Sequence, residues 1–471
     1  MNWSQIRFEL EEIVGQTHVV YDPLMLTAHN TDWRGRYQGQ APLVVQPRTT
    51  SEVQRVVELC QRHNLALVPQ GGNTSQCGAS IPRSGHMNEI IISLSKMDQL
   101  IELDSENSTI TCAAGMILAD LQRHAAGAGF LFPLSLASEG SAQVGGLIST
   151  NAGGTAVLRY GNMRQQVLGL EVVLADGRCW NGLHGLRKDN TGYDLKQWFI
   201  GAEGTLGIIT HAVLRLYPQP QQRSTAWLAL ETPEDAVILL KELRATCGEI
   251  SAFEIISASA LHLVEQHLSP LASPLQPIPR WSLLVELEQF SPGDNPQEQI
   301  ENALARALAD QRIQAALIAQ SERESSTFWS LRELISEAQK REGISIKHDI
   351  SVPVSRIPDF IRQSGEKLSA VYPGIRIVCF GHVGDGNLHY NLSFADVVRN
   401  TELIRQTPEV NRIVHDIVHA LQGSISAEHG IGQLKVGELE RYKDPVALDL
   451  MHRIKATLDP HDRMNPGKVL G

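Results

Sequence analysis

The stretch Phe380-Gly381-His382-Val383-Gly384-Asp385-Gly386-Asn387-Leu388-His389 limits the fold more than any other part of this chain. Asp-Gly between strand-like residues is the strongest short-range signal for a β-hairpin, so the carboxy-terminal half is expected to contain an antiparallel sheet. A turn at Asp385-Gly386 sets His382 directly opposite His389, and a four-residue loop from Gly384 to Asn387 keeps that register. Opposed residues share a face with Cβ atoms about 4.5–5.5 Å apart, so the two imidazoles can close on one cation. Asn391 falls on the same face. Downstream, Ser426-Ala427-Glu428-His429-Gly430 offers a carboxylate and a further histidine. His382, His389 and Glu428 with one position open make the ligand set of a catalytic metal rather than of a closed structural one. Zinc suits this divalent site, with manganese, cobalt or iron compatible.

Composition limits the function classes. A chain of 471 residues has room for two or three domains with full cores. Its net charge of −11 argues against nucleic acid as a partner. The six cysteines are scattered, without a C-x-x-C pair, which fits a reducing compartment. The amino-terminal MNWSQIRFELEEIVG is acidic and amphipathic, unlike a secretory leader, and no run approaches the roughly 20 apolar residues of a membrane span. A cytoplasmic protein is expected.

The amino-terminal half alternates strands and helices. Leu43-Val44-Val45 reads as a strand, Thr50-Ser51 as the cap of a helix burying Val53, Val56, Val57 and Cys60, and Leu65–Pro69 as the next strand. That strand runs into Gln70-Gly71-Gly72-Asn73-Thr74-Ser75-Gln76-Cys77-Gly78, where glycine lets successive backbone N–H groups converge on an anion. The loop is neither G-x-x-x-x-G-K-[ST] nor a helix-opening G-x-G-x-x-G. Further glycine clusters follow at 138–146, at 149–154 and at 201–209. Backbone lining at this many places suits a long, diphosphate-bridged dinucleotide, although each glycine singly serves close packing as well.

These motifs carry a family resemblance. Pro69-Gln70-Gly71-Gly72-Asn73-Thr74-Ser75, Thr150-Asn151-Ala152-Gly153-Gly154 with Arg159-Tyr160-Gly161, Lys188–Leu195 and Gly201-Ala202-Glu203-Gly204-Thr205-Leu206-Gly207 resemble the FAD-binding domain of the vanillyl-alcohol oxidase / p-cresol methylhydroxylase superfamily. Within it, the chain is similar to the D-2-hydroxyacid dehydrogenases over roughly residues 20–471. The resemblance implies an α+β fold: a two-subdomain FAD-binding domain of the p-cresol methylhydroxylase type (1–217), an α+β substrate or cap domain with an antiparallel sheet (218–410), and a C-terminal helical segment (411–471) returning to the flavin domain. Flavin contacts are then expected from Pro69, Gln70, Gly71, Gly72, Asn73, Thr74, Ser75, Ser138, Ser141, Gly145, Gly146, Thr150, Asn151, Gly153, Gly154, Glu203, Gly204, Gly207, Ile208 and Ile209, and from Asn465 in the closing Met464-Asn465-Pro466-Gly467-Lys468. Residues 69–80 contain no histidine, so the FAD should be non-covalent.

In the family pattern Trp329-Ser330-Leu331-Arg332, a hydroxyl residue one turn later (Ser336) and Lys347 belong to the substrate site. Residues 327–341 read as one helix capped by Thr327, with Arg332 and Ser336 on one face, and 345–350 as a strand. Ala226–Leu230 and Trp281–Leu287 read as strands, and 269–280 and 291–297 as loops. Arg332 in a two-pronged mode and Lys347 would bind carboxylate, with Asn391 beside them. The implied reaction is metal-assisted oxidation of a small anionic D-2-hydroxy acid, 2-hydroxyglutarate foremost, to the 2-oxo acid. His429 would act as general base, with metal ligation as its competing role. D-lactate, glycolate and an ether-lipid synthase type of reaction are the alternatives. Electron-transfer flavoprotein, the quinone pool and oxygen stand as candidate acceptors, and a homodimer stays open.

Overall fold

The computed structural model describes residues 1–247, 249–291 and 295–471, so part of the loop expected at 291–297 lies outside the described residues. It divides into two compact units, one of residues 1–154, 161–219 and 428–471, the other of residues 155–160 and 220–427.

The first unit is built on two sheets. Strands β1 (Val19–Val20), β2 (Val44–Val45), β3 (Ala66–Gln70) and β4 (Glu89–Ser93) form the order β1-β2-β4-β3, with β2 and β3 parallel to β4. Strand β4 is apolar on both faces, as a strand covered on both sides must be. Ile90 and Ile92 enter the main core, whereas Ile91 packs with Val44 and Val68 in a separate cluster. The helix Thr50–Arg62 buries Val53, Val56, Val57 and Cys60 as its spacing predicts. Its cap, however, is Thr49, whose hydroxyl accepts from Glu52 N at 3.2 Å. Thr50 instead donates its hydroxyl to Glu171 at 2.5 Å, a partner 121 residues away that no local rule reveals.

The second sheet uses β5 (Leu100–Asp104), β6 (Thr109–Ala113), β8 (Val167–Val173), β9 (Cys179–Gly182) and β10 (Ile208–Arg215) in the antiparallel order β5-β6-β10-β8-β9, while β7 (Phe130–Leu131) pairs with β11 (Tyr217–Pro218). Ile110, Cys112, Leu170, Val172, Ala212 and Leu214 share one apolar cluster with Leu67 and Ile92 of the first sheet. Each fully buried aliphatic side chain there is worth about 1.5–3 kcal/mol.

The other unit is a seven-stranded antiparallel sheet. Its strands are β12 (Gln222–Leu230), β13 (Glu249–Ser257), β14 (Trp281–Gln289), β15 (Ala315–Ile318), β16 (Ile346–Ser351), β17 (Arg376–His382) and β18 (Asn387–Ser393), in the order β15-β12-β14-β13-β17-β18-β16. Trp227, Leu284, Ile256, Val378 and Phe380 pack under the helices Ala258–His267, Glu322–Glu333 and Ile335–Glu342 through Leu261, Val264, Phe328, Leu331, Ile335 and Ala338. The single helix expected over 327–341 is therefore two, parted at Leu334. The first starts at Glu322, where Ser321 accepts from Glu324 N at 3.2 Å. That Ser-x-x-Glu signature outranks Thr327, which lies inside the helix and turns its hydroxyl to Arg323 O.

The hairpin also departs from expectation. Its loop is Val383–Gly386, and β17 pairs with β18 so that Phe380, not His382, lies opposite His389. Within this loop only Gly386 has positive φ (+88°), whereas a type I′ turn at Asp385-Gly386 needs it at both residues. Gly386 N–H bonds back to His382 O at 3.1 Å, closing a longer turn. The register moves by two residues, so His382 and His389 still share a face. Among the described residues, no helix is long and apolar enough to cross a membrane.

Candidate active site

In the first unit the glycine clusters meet. A Cβ on Gly72 would lie 1.8 Å from Ser141 O, and one on Gly154 would lie 2.1 Å from Ser135 O, so only glycine permits these approaches. At Gly146 a Cβ would meet open space. Two side chains of the first cluster are committed within the protein. Gln70 donates to His29 O and Ser80 O, both at 2.9 Å, and Asn73 donates to Ala28 O and Thr31 O at 3.2 and 2.9 Å. They brace the loop, and among the described residues no backbone N–H from Gly71 to Ser75 donates to a protein acceptor. Such a row of N–H groups suits a diphosphate. Thr150 is likewise turned inward, its hydroxyl donating to Gly146 O at 3.1 Å, and Asn151 Oδ1 accepts from Arg164 N at 2.9 Å. Pro69 packs beside Gly204, Ser138 and Ser141 sit in one turn, and Gly145, Gly207, Ile208 and Ile209 hold strands and helix together.

Asn465 is 1% exposed and donates its amide to Ala79 O and Glu203 O at 2.9 and 2.7 Å, while its Oδ1 is buried without a hydrogen-bond partner. Such an orphaned acceptor at a glycine-lined cradle fits a ligand that brings a donor. Glu203, expected beside the flavin, also has a second use. Its carboxylate accepts from Ile431 N and Gly432 N at 2.7 and 2.9 Å, which fixes the loop that follows Glu428 and His429. Burial raises its pKa to about 7 against the pull of these two N–H groups and Lys435.

The second unit holds the histidine face. Strand register puts Glu254 opposite His382, Phe380 and Asp349 both opposite His389, and Lys347 opposite Asn391, all on the side that the helices cover. The His382 and His389 rings stand 6.1 Å apart at 75°, with ligating nitrogens within 4.8 Å of each other. Buried Asp349 brings a carboxylate oxygen within the same distance of His389. This donor chemistry fits a divalent cation.

Arg332 is buried and its Nε–H donates to Glu254 Oε2 at 2.8 Å, with its guanidinium 4.8 Å from the Phe380 ring centre. A side-on two-pronged grip through Nε is thereby excluded, and the Nη1/Nη2 end is the one left for a substrate carboxylate. Asn391 donates to Gln339 Oε1 at 2.9 Å, leaving its own carbonyl oxygen as an acceptor. Lys347 is half-buried, and Ser336 is exposed on the far side of the Leu334 break.

Sequence reasoning missed Glu254. Its carboxylate is wholly buried and binds both His382 Nδ1, at 2.5 Å, and Arg332. Burial opposes its charge, but the interactions with His382 and Arg332 outweigh that and hold it well below the usual carboxylate range. Asp349 was missed as well. Glu428 and His429 follow a segment that Ser424 ties to Ser351 at the end of β16 through hydrogen bonds of 2.7 and 3.0 Å.

Two family models match this chain: "FAD binding domain" over residues 41–182 and "FAD linked oxidases, C-terminal domain" over residues 219–469. The chain belongs to the FAD-linked oxidase family. This FAD-linked oxidase is 38% identical over 461 residues to the mitochondrial D-2-hydroxyglutarate dehydrogenase of Arabidopsis thaliana, covering 98% of this chain and 80% of that one. It is 36% identical over 465 residues to the D-2-hydroxyglutarate dehydrogenase of Stutzerimonas stutzeri (strain A1501), covering 98% of each. Among solved structures, p-cresol methylhydroxylase with substrate bound superposes with a TM-score of 0.78 at 17% identity, over 99% of this chain and 96% of that one. The expected α+β fold of the p-cresol methylhydroxylase type is the one observed.

Proposed function

We propose that this FAD-linked oxidase oxidises a D-2-hydroxy acid, D-2-hydroxyglutarate foremost, to the 2-oxo acid. The observation that carries the reading is 36% identity across 98% of both chains to a D-2-hydroxyglutarate dehydrogenase. A flavin bound in the first unit would supply the acceptor for the Cα hydride, and a divalent cation, zinc foremost, on His382, His389 and Glu428 would supply Lewis acidity at the substrate hydroxyl. The chain's own residues bind and orient. Arg332 offers its Nη end to one carboxylate and Lys347 its ammonium to another, so a dicarboxylate uses both cations while lactate or glycolate uses one. Asn391, held by Gln339, accepts from the substrate hydroxyl or an adjacent donor. His429 would take the hydroxyl proton on its ring while the Cα hydrogen departs as hydride with the C–H electron pair, so that the O–H pair becomes the second bond of the carbonyl.

D-lactate is the alternative substrate, supported by a further relative, a putative D-lactate dehydrogenase of Schizosaccharomyces pombe (strain 972 / ATCC 24843), 35% identical over 95% of this chain and 85% of that one. The electrons would leave to an acceptor other than NAD, with electron-transfer flavoprotein and the quinone pool as the candidates. None of the six cysteines is joined in a disulfide, which accords with the reducing cytoplasm. The test is anaerobic titration of the yellow protein with D- and L-2-hydroxyglutarate, D-malate, D-lactate and glycolate. Bleaching by D-2-hydroxyglutarate, abolished by chelator, is expected. Flavin that none of these acids reduces would sink the reading and leave a non-oxidative reaction of the ether-lipid synthase type.

A further inference from the structure

Glu254 stands at the middle of the sheet, on β13 opposite His382, without exposed surface. Its two oxygens are divided between two partners: Oε1 takes His382 Nδ1 at 2.5 Å and Oε2 takes Arg332 Nε at 2.8 Å. We propose that Glu254 is the positioning residue of the site, one buried carboxylate that sets the orientation of both a metal-ligating histidine and the substrate-binding arginine; this rests on the functional reading above.

The geometry makes the two effects inseparable. An imidazole that donates Nδ1–H to a carboxylate carries its lone pair on Nε2, so the tautomer and the ring plane of His382 are both set for ligation through Nε2. A guanidinium is planar, so holding Nε–H on Glu254 fixes the direction of the Nη1/Nη2 pair, and the Phe380 ring 4.8 Å away fixes its plane. Glu254 is not the only anchor of the helix that carries Arg332. One turn earlier, Trp329 donates its indole N–H to Glu286 on the adjacent strand β14 at 2.9 Å. The helix therefore keeps a second tie to the sheet when Glu254 is altered.

Glu254→Gln is the informative change. An amide has one acceptor oxygen, so it can satisfy His382 or Arg332 but turns an NH2 toward the other. We would strip metal from the flavin-loaded protein and measure Zn2+ affinity by competition with a chromophoric chelator for wild type, E254Q, H382A and E254Q/H382A. Steady-state KM and kcat with D-2-hydroxyglutarate would be measured alongside. Zn2+ affinity should fall about 10–100-fold in E254Q and fall no further when E254Q is added to H382A. KM should rise at least about tenfold while the FAD content stays at the wild-type value. If E254Q does not fold, Glu254→Asp, which keeps the charge one methylene short, carries the same comparison. Wild-type Zn2+ affinity in E254Q, an equal further loss in the H382A background, or a wild type that takes up no Zn2+ would each overturn the proposal. Weakened Zn2+ binding in a protein whose flavin no hydroxy acid reduces would uphold the role of Glu254 toward His382 and overturn the substrate reading alone.

Discussion

Arg332 keeps little freedom, and that decides what its replacement should do. Lysine in its place is a single point charge that cannot hold Glu254 and a substrate carboxylate together. R332K should raise KM for D-2-hydroxyglutarate about 10–100-fold, more than it lowers kcat, and unchanged steady-state constants would exclude Arg332 from the substrate site. His389→Ala should lower chelator-sensitive flavin reduction at least about a hundredfold. Glu203 gives a pH signature. Its pKa is raised from 4.5 to about 7 in the folded protein, so the folded state holds the proton more tightly. Stability from this group is present below pH 4.5 and is lost as pH rises to 7, by up to about 3 kcal/mol. Urea unfolding between pH 5 and 7.5 should show E203Q gaining on wild type as pH rises, and parallel curves would refute it. His382 and His389 were singled out by residue type and hairpin spacing, and Arg332 and Lys347 by the family pattern around Trp329-Ser330-Leu331-Arg332. Glu254 was not, since its partners His382 and Arg332 are 128 and 78 residues away and only the folded sheet joins them.

At the scale of elements, apolar periodicity located strands and helices well, and hydrogen-bonding detail decided their ends. The helix Thr50–Arg62 shows the buried face its spacing predicts, while its cap moved one residue because Thr50 serves Glu171. The hairpin was found and its register missed by two, since Asp-Gly alone does not ensure that the aspartate as well as the glycine takes the left-handed conformation of a type I′ turn. An error of two is harmless to face assignment, whereas an error of one would have sent His389 to the opposite side. Gly386 is the residue that maintains this turn, with φ at +88° and a Cβ that would lie 2.1 Å from Val352 O. Gly386→Ala should destabilise the protein by about 1–3 kcal/mol in urea unfolding. Full retention of stability would show that the loop repacks freely.

At the scale of the molecule, the flavin fold could be read from glycine motifs, and a closing Met-Asn-Pro-Gly-Lys led to the expectation that the chain returns to the flavin domain, whereas nothing local marks residues 155–160 as grouping with the second unit. FAD added to protein stripped of it should raise the unfolding free energy of the first unit by about 2.7 kcal/mol at a hundredfold excess over Kd. Calorimetry that shows no shift would remove FAD as the ligand of the cradle. The pairing of Leu67 with Met464 has a further consequence. Leu67 N–H bonds to Arg463 O and Asn465 N–H to Leu67 O, both at 2.8 Å, so the β3 edge of an early sheet is finished by residues translated only after the whole of 220–427. On the ribosome the cofactor unit must wait, incomplete, through the synthesis of more than two hundred residues of its neighbour. Flavin capture thus waits for the segment 463–465, and a nascent chain arrested before residue 463 should emerge colourless.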